Sequence, residues 1–200
     1  MVVIIDYGMG NVASVQKALN LLKVDNVITN AKDKIRSASG IILPGVGSFL
    51  QGMTHLKESG LDAVLTEEVV GNGKPFLGIC LGMQLIATTG FEPYENPGLG
   101  WINGRVLKIT DTECRIPHMG WNNITVLNDA YFKDLPSSDF YFIHSYHFVP
   151  DSEDVIAATV NYGTDYVASI KHKNIFATQF HPEKSQTAGL KVLEAFLKDA

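Results

Sequence analysis

Short runs of apolar, mostly β-branched residues alternate with segments of helical periodicity through the first half of the chain. The first run, VVII at residues 2–5, ends at a glycine turn. Apolar residues then recur at helical spacing: Val12, Val15, Leu19 and Leu22. The same order returns after three further runs: residues 27–29, 40–43 and 76–79. This alternation predicts a mostly parallel sheet covered by helices on both faces, with its chemistry at the carboxyl ends of the strands.

From about residue 104 the pattern changes to strand-like segments separated by short turns: residues 105–109, 123–127, 140–143, 155–160, 166–170 and 175–179. These segments predict antiparallel strands that extend the sheet. A last helical face predicts a helix packed back on the sheet: Leu190, Leu193, Phe196 and Leu197. The segment 92–98, rich in Pro and Gly, is expected to be a surface loop within a single domain over residues 1–200.

Net charge and cysteine content limit the classes of molecule that the protein is expected to bind. The 200 residues carry a net charge of −5, with 46% hydrophobic residues, so no basic stripe is present for nucleic-acid binding. Cys80 and Cys114 belong to no metal-binding or disulfide pattern. The apolar run at residues 2–5 is too short for a secretory signal or a membrane span, so we expect a cytoplasmic protein with reduced thiols that acts on small molecules or proteins.

The strongest local signal is GICLGMQ at residues 78–84, where an apolar strand runs into a cysteine flanked by glycines. Small residues two before and two after Cys80 have the spacing of a nucleophile elbow, a sharp strand-to-helix turn that exposes the middle side chain. The N-terminus of the following helix favours the thiolate over the thiol. The alternative is that Cys80 is a small buried hydrophobic residue, which is the usual place of a free cysteine.

The segment ATQFHPEKS at residues 177–185 offers a base for such a thiolate. His181 and Glu183 are two residues apart, so in an extended chain both side chains lie on one side of the backbone. The carboxylate can then orient the imidazole and stabilise its charged form. Taken alone, a His-x-Glu pair is more often a surface feature.

The segment LPGVGSF at residues 43–49 places two glycines around one residue, directly after a strand. Backbone N–H groups approach a ligand closely only where side chains are missing. The loop therefore predicts one donor of an oxyanion hole at Val46 N–H, with Leu81 N–H as the other. A plain turn is the alternative, because the segment matches neither the dinucleotide nor the P-loop fingerprint.

No cofactor or metal is expected. His144 and His147 are three residues apart in a strand-like context, which points them to opposite faces, and no third ligand is nearby. Cys114, between Glu113 and Arg115, has no visible base and is taken as incidental.

Together, the three segments around Cys80, His181 and Val46 resemble the class I glutamine amidotransferases, whose glutaminase domains use a Cys-His-Glu triad. The resemblance covers nearly the whole chain. Three further segments resemble the glutaminase subunits of imidazole glycerol phosphate synthase, one branch of that family: DYGMGN at residues 6–11, PHMGWN at 117–122 and FIHSY at 142–146. The resemblance implies a three-layer, flavodoxin-like α/β fold with a mostly parallel central sheet extended by antiparallel strands.

The resemblance also implies roles for individual residues. Cys80 would attack the side-chain amide of glutamine to give a γ-glutamyl thioester. His181 would protonate the departing ammonia and activate water, and Glu183 would hold His181. Six residues would bind the glutamine: Gly45, Gly47, Gln84, Glu92, Ser145 and Tyr146. Glu92 suits the α-ammonium group of the substrate, an opposite-charge contact, and its alternative is a solvated carboxylate on a loop.

Ammonia released into water would become ammonium and drift away, so a glutaminase that serves biosynthesis should sit on a synthase. The family's partner is a (β/α)₈-barrel cyclase in a heterodimer, which makes imidazole glycerol phosphate and an aminoimidazole carboxamide ribonucleotide in histidine biosynthesis. Four residues would face it: Asn11, Ser14, Trp121 and Lys184. For Trp121, a place in the core is the alternative to an interface anchor.

Three other functions stay open at this point. One is a glutaminase subunit that serves another acceptor, as in pyridoxal phosphate or anthranilate synthesis. Another is a cysteine peptidase-like hydrolase, against which Gln84 and the loop 45–47 argue. The third is a non-catalytic binding module, against which the presence of Cys80, His181 and Glu183 argues.

Overall fold

The computed structural model describes residues 1–110, 113–128 and 130–200. Its strands are β1 (Val2–Ile5), β2 (Asn26–Thr29), β3 (Gly40–Gly45), β4 (Phe76–Cys80), β5 (Ala87–Phe91), β6 (Glu95–Pro97), β7 (Ile102–Lys108), β8 (His118–Val126), β9 (Asp139–His144), β10 (Tyr146–Pro150), β11 (Ile156–Tyr162), β12 (Thr164–His172) and β13 (Ile175–Thr178). Its α-helices are α1 (Val12–Leu21), α2 (Lys32–Ser37), α3 (Phe49–Glu58), α4 (Leu61–Thr66), α5 (Leu81–Leu85) and α6 (Gln186–Phe196). A π-helical turn, Glu67–Gly71, continues α4.

A nine-stranded mixed sheet forms the centre of the fold, in the order β2-β1-β3-β4-β13-β12-β11-β8-β9. From β2 to β13 the neighbouring strands are parallel. From β13 to β9 they are antiparallel. The prediction of a parallel sheet extended by antiparallel strands is confirmed, although the antiparallel half has as many strand pairings as the parallel half.

Helices cover both faces of this sheet, because its strands are apolar on both sides. In β1, Val3 and Ile5 face one core and Val2 and Ile4 face the other, as the two-residue period of a strand requires. Residues of α2, α3, α4 and α5 fill the first core. Residues of α1 and α6 fill the second, so the expected C-terminal helix does pack on the sheet. The three layers are those of an α/β fold.

Four strands form a separate small sheet in the order β10-β7-β5-β6. The sequence predicted one sheet only, and for two segments of this small sheet the prediction was wrong. The segment 92–98, expected to be a surface loop, contains β6, which pairs with β5 and buries Asn96. The strand expected at 105–109 belongs to β7, and β7 pairs with β5 and β10 rather than with the central sheet. The turn-forming residues of 92–98 hid a strand of only three residues. Within the described part of the chain, no helix has the length and apolar character needed to span a membrane.

Candidate active site

Cys80 lies at the junction of β4 and α5 in a backbone conformation that side chains rarely adopt, with φ 54° and ψ −106°. Two glycines allow this sharp turn. A Cβ at Gly78 would lie 2.7 Å from the carbonyl oxygen of Gly82, and a Cβ at Gly82 would overlap the carbonyl oxygen of Leu43. Strain of this kind persists only where the surrounding structure enforces it, and it is typical of functional sites. The geometry is that of the nucleophile elbow expected from the sequence.

His181 reaches the same edge of the sheet because β13 pairs in parallel with β4, with Thr178 opposite Ile79. The backbone of His181 is held on both sides. Its N–H donates to the carbonyl oxygen of Tyr141 at 2.9 Å, and its carbonyl accepts from Ser185 Oγ at 2.6 Å. These contacts fix the imidazole beside the elbow although about a hundred residues separate it from Cys80 in the chain.

Glu183 fixes the orientation of the imidazole ring. His181 Nδ1 lies 2.8 Å from Glu183 Oε1, and both side chains are 2% exposed. Burial lowers the pKa of His181, but the Cys80 thiolate and Glu183 raise it by more, to about 10. His181 is therefore an imidazolium at neutral pH when the sulfur is ionised. Because Nδ1 is occupied by Glu183, Nε2 is the nitrogen left to exchange a proton with Cys80.

A cleft of about 420 Å³ opens over Cys80. Seven other residues with predicted roles line it: Val46, Gly47, Leu81, Gln84, Glu92, Ser145 and Tyr146. The eighth residue, Gly45, does not line the cleft, and a Cβ at this position would overlap the hydroxyl of Tyr7. The close approach of Tyr7 explains why this position is a glycine. The roles of these residues stay predictions, but the structure gathers them around the sulfur.

Glu92 is part of the cleft wall rather than a solvated loop carboxylate. Its Oε2 accepts the N–H of Phe49, the first residue of α3, at 2.8 Å. Burial raises the pKa of Glu92, and this hydrogen bond opposes the rise. The carboxylate is thereby tied to the helix that follows the loop 45–47. A ligand ammonium group in the cleft would find one partly buried negative charge here.

Gln84 and Gln179 form a buried amide pair beneath the cleft. Gln84 Nε2 donates to the carbonyl oxygen of Tyr146 and to Gln179 Oε1, both at 3.0 Å. Gln84 therefore has only its oxygen left for a ligand, so it can accept a hydrogen bond from one but not donate. The sequence reasoning missed Gln179. Its signal was a polar residue at the end of the predicted strand 175–179, among apolar or small neighbours, where a buried polar side chain demands a hydrogen-bond partner.

The four residues predicted to face the partner form two groups, Trp121 with Lys184 and Asn11 with Ser14. Trp121 is 50% exposed, so it is not a core residue. Its ring and the ammonium of Lys184 both contact Tyr141, at 6.2 and 5.7 Å from the ring centroid. Asn11 caps α1 by accepting the N–H of Ser14 at 3.3 Å. Ser14 and Glu183 line one small cavity, so the start of α1 lies beside the triad.

His118 and His144 form a second buried pair that sequence reasoning did not find. His118 Nδ1 lies 3.1 Å from His144 Nε2, and His144 Nδ1 lies 2.8 Å from the carbonyl oxygen of Tyr146. His144 and His147 are not on opposite faces of one strand as expected, because β9 ends at His144 and β10 belongs to the other sheet. No group of three metal-binding side chains occurs among the residues that the structure describes.

Comparison with known proteins places the chain in one family. Residues 3–200 match the family model of the class-I glutamine amidotransferases. The chain is 44% identical to the imidazole glycerol phosphate synthase subunit HisH of Pelagibacter ubique, over 98% of each protein. It is 45% identical to the HisH subunit of Moorella thermoacetica, over 98% of this chain and 93% of that protein.

Solved structures of lower identity share the fold. A glutamine amidotransferase structure covers 100% of this chain and 98% of its own, at 21% identity and a TM-score of 0.79. A glutamine amidotransferase from Thermotoga maritima covers 99% of this chain and 82% of its own, at 17% identity and a TM-score of 0.65. The fold and the site thus define a class-I glutamine amidotransferase, and the chain belongs to that class. Within the class it belongs to the family of the imidazole glycerol phosphate synthase subunit HisH, because its near-full-length relatives carry that name.

Proposed function

We propose that this chain hydrolyses glutamine at Cys80 and passes the ammonia to a (β/α)₈-barrel cyclase subunit, with which it forms an imidazole glycerol phosphate synthase. The observation that carries the proposal is that Cys80, at a strained elbow, interacts electrostatically with an imidazole that a buried carboxylate holds. Family membership supports the reaction, and the subunit names of the relatives support a partner subunit.

The chemistry follows from the protonation states. The Cys80 thiolate attacks the side-chain carbonyl carbon of glutamine, and the carbonyl oxygen takes the electron pair as an oxyanion. We assign Val46 N–H and Leu81 N–H as its donors. When the C–N bond breaks, His181 Nε2 gives its proton to the leaving nitrogen, so ammonia departs and a γ-glutamyl thioester remains. His181 then takes a proton from water, which attacks the thioester to release glutamate and the thiolate.

The cleft wall fits glutamine. Glu92 offers its charge to the α-ammonium group, and Gln84 offers an acceptor oxygen to the same end of the substrate. The chemistry needs no cofactor. We also propose a cytoplasmic location, because Cys80 and Cys114 are both free thiols.

A reconstituted complex tests the proposal. With the cyclase subunit from the same organism, Cys80→Ala should abolish synthesis from glutamine and leave synthesis from added ammonium salts unchanged. Cys114→Ser is the matched control, because it removes the other thiol and should retain both activities.

Two results would contradict the proposal. Glutamine-dependent synthesis by the Cys80→Ala complex would show that the sulfur is not the nucleophile. Failure to bind or activate any cyclase, with peptide cleavage instead, would favour the cysteine hydrolase alternative.

A further inference from the structure

Gln179 is a fully buried amide in contact with the candidate nucleophile. It lies one residue past the end of β13 and is 0% exposed. Its Nε2 is 3.6 Å from Cys80 Sγ. A polar side chain at this depth needs partners for both ends of its amide, because an unsatisfied buried amide is strongly destabilising.

The hydrogen-bond partners fix which end of this amide faces the sulfur. The carbonyl oxygen of Tyr146 can only accept, so the Gln84 group 3.0 Å from it must be the NH₂. The same NH₂ lies 3.0 Å from the amide of Gln179, which must present its oxygen to it. The NH₂ of Gln179 therefore points at Cys80. Turning either amide would bring two donors or two acceptors together.

The other polar contact of the sulfur makes this donor important. Cys80 Sγ also lies 3.8 Å from the carbonyl oxygen of Ile143. A thiol can donate to that carbonyl, whereas a thiolate is repelled by it. The N–H of Gln179 acts in the opposite sense, because a donor is drawn more strongly to a charged sulfur than to a neutral one. The two contacts therefore pull the sulfur toward different protonation states.

We propose that Gln179 is a catalytic residue that donates its amide N–H to the Cys80 thiolate, and that Gln84 is a positioning residue that holds this amide in its working orientation. The inference rests on the proposed function, in which this sulfur is the nucleophile. Gln84 then has two roles. Its oxygen accepts from glutamine, and its NH₂, which donates to Gln179, is unavailable to the substrate. The donor keeps the sulfur charged and in place before attack.

Alkylation by iodoacetamide tests the contact without requiring glutamine turnover. The full-length chain carrying Cys114→Ser has Cys80 as its one thiol, so the rate of alkylation against pH reports its thiolate. Gln179→Leu should slow alkylation on the low-pH limb of the profile by about tenfold. Gln84→Leu should slow it there by less.

Gln179→Glu changes only the group that faces the sulfur. The carboxylate keeps the size of the side chain and still accepts from Gln84, but it faces the sulfur with an oxygen, so the loss should exceed that of Gln179→Leu. Ser169→Ala is the control, since Ser169 is equally buried on β12 and donates only to the carbonyl oxygen of Ala177. Its profile should match that of the parent.

Wild-type profiles for folded Gln179→Leu and Gln179→Glu would overturn the inference. A slowed profile in all variants, Ser169→Ala included, would also overturn it, because general loosening would then explain the effect. Failure of the proposed function is separate: it would appear as glutamine turnover by Cys80→Ala, whatever the alkylation profiles show.

Discussion

Glu183 has a contact that decides which nitrogen of His181 can do chemistry. Its Oε1 occupies Nδ1 at 2.8 Å in a site closed to water. The carboxylate also contributes negative charge that holds the pKa of His181 up against the effect of burial. Glu183 therefore both orients the His181 ring and supplies the negative charge beside it. A substitution that keeps the shape of Glu183 but removes its charge separates the two effects.

Glu183→Gln keeps the shape and removes the charge. We expect kcat for glutamine to fall by about a hundredfold or more, because the amide can stabilise the wrong tautomer of the imidazole. The pKa of His181 should also fall, so the imidazolium that protonates the leaving ammonia is lost at lower pH. The alkaline limb of the pH–rate profile should therefore move to lower pH.

The control for this change is Glu194→Gln, on the exposed surface of α6, which should leave the profile unchanged. Equal kcat and equal alkaline limbs for Glu183→Gln and the parent chain would contradict the triad.

At the scale of elements, the turn between β4 and α5 depends on the absence of side chains. Gly82→Ala would place a Cβ against the carbonyl oxygen of Leu43 in β3, so either the elbow or the neighbouring strand must move. We expect a loss of roughly 3 kcal/mol or more in the free energy of unfolding, as for other overpacked core positions. Urea unfolding followed by circular dichroism measures it.

Gly71→Ala is the matched control. Gly71 ends the π-helical turn, and nothing lies within 4 Å of a Cβ added there. That change should be neutral or stabilise the protein by up to about 1 kcal/mol, because alanine restricts the unfolded chain. Similar unfolding midpoints for the two variants would contradict the packing argument.

The β8–β9 pair contains two histidines that the fold keeps neutral. His118 and His144 are opposite each other in the ladder, and burial lowers their pKa values to about 4 and about 3. Below the ordinary histidine pKa of about 6.5, the unfolded chain takes up protons that the folded pair does not. The free energy of unfolding should therefore fall as pH drops from about 6.5 toward 4.

His144→Gln isolates this effect. It removes one of the two groups, so the loss of stability between pH 7 and pH 5 should be smaller than in the parent by on the order of 1 kcal/mol. Urea unfolding at both pH values measures the difference. Parallel losses in the two proteins would show that the pair does not set the pH dependence.

The sequence predicted strands and helices correctly where the period of the apolar residues and the length of the segment indicated the same element, and it failed elsewhere. Val2–Ile5 is a strand as predicted because its four residues are buried on both faces. β8 begins at His118, five residues before its predicted start, because its first half carries polar and exposed residues that give no apolar alternation. The site followed the same rule. Cys80, His181 and Glu183 were found from local spacing, whereas Gln179 and His118 have partners set by strand order.

At the scale of the whole molecule, the site lies where the parallel and antiparallel halves of the sheet meet. β4 brings the sulfur from the parallel half, β13 brings the imidazole at the junction, and β9 supplies Tyr141, which accepts the N–H of His181. Neither half holds a complete site. The chain order of the residues was readable from the sequence, but their meeting depends on β13 inserting between β4 and β12, which no local pattern specifies.

The surface beside this junction is the proposed interface with the cyclase. Met119 and Trp121 are 59% and 50% exposed on β8, and Trp121 contacts Tyr141, whose backbone holds His181. A large exposed indole in this position should be an anchor of the interface, because tryptophan is enriched among residues that dominate binding energy. Trp121→Ala should therefore raise the Kd for the cyclase subunit by about thirtyfold, as a loss near 2 kcal/mol gives.

Leu127→Ala is the control for that measurement. Leu127 is 62% exposed just past the other end of β8, roughly 20 Å from Trp121 at about 3.3 Å per residue. Isothermal titration with the cyclase should give it the parental Kd, so an apolar side chain alone does not explain the loss. Equal Kd values for Trp121→Ala and Leu127→Ala would place the partner elsewhere. Ammonia would then have to leave the triad by a route that does not pass β8.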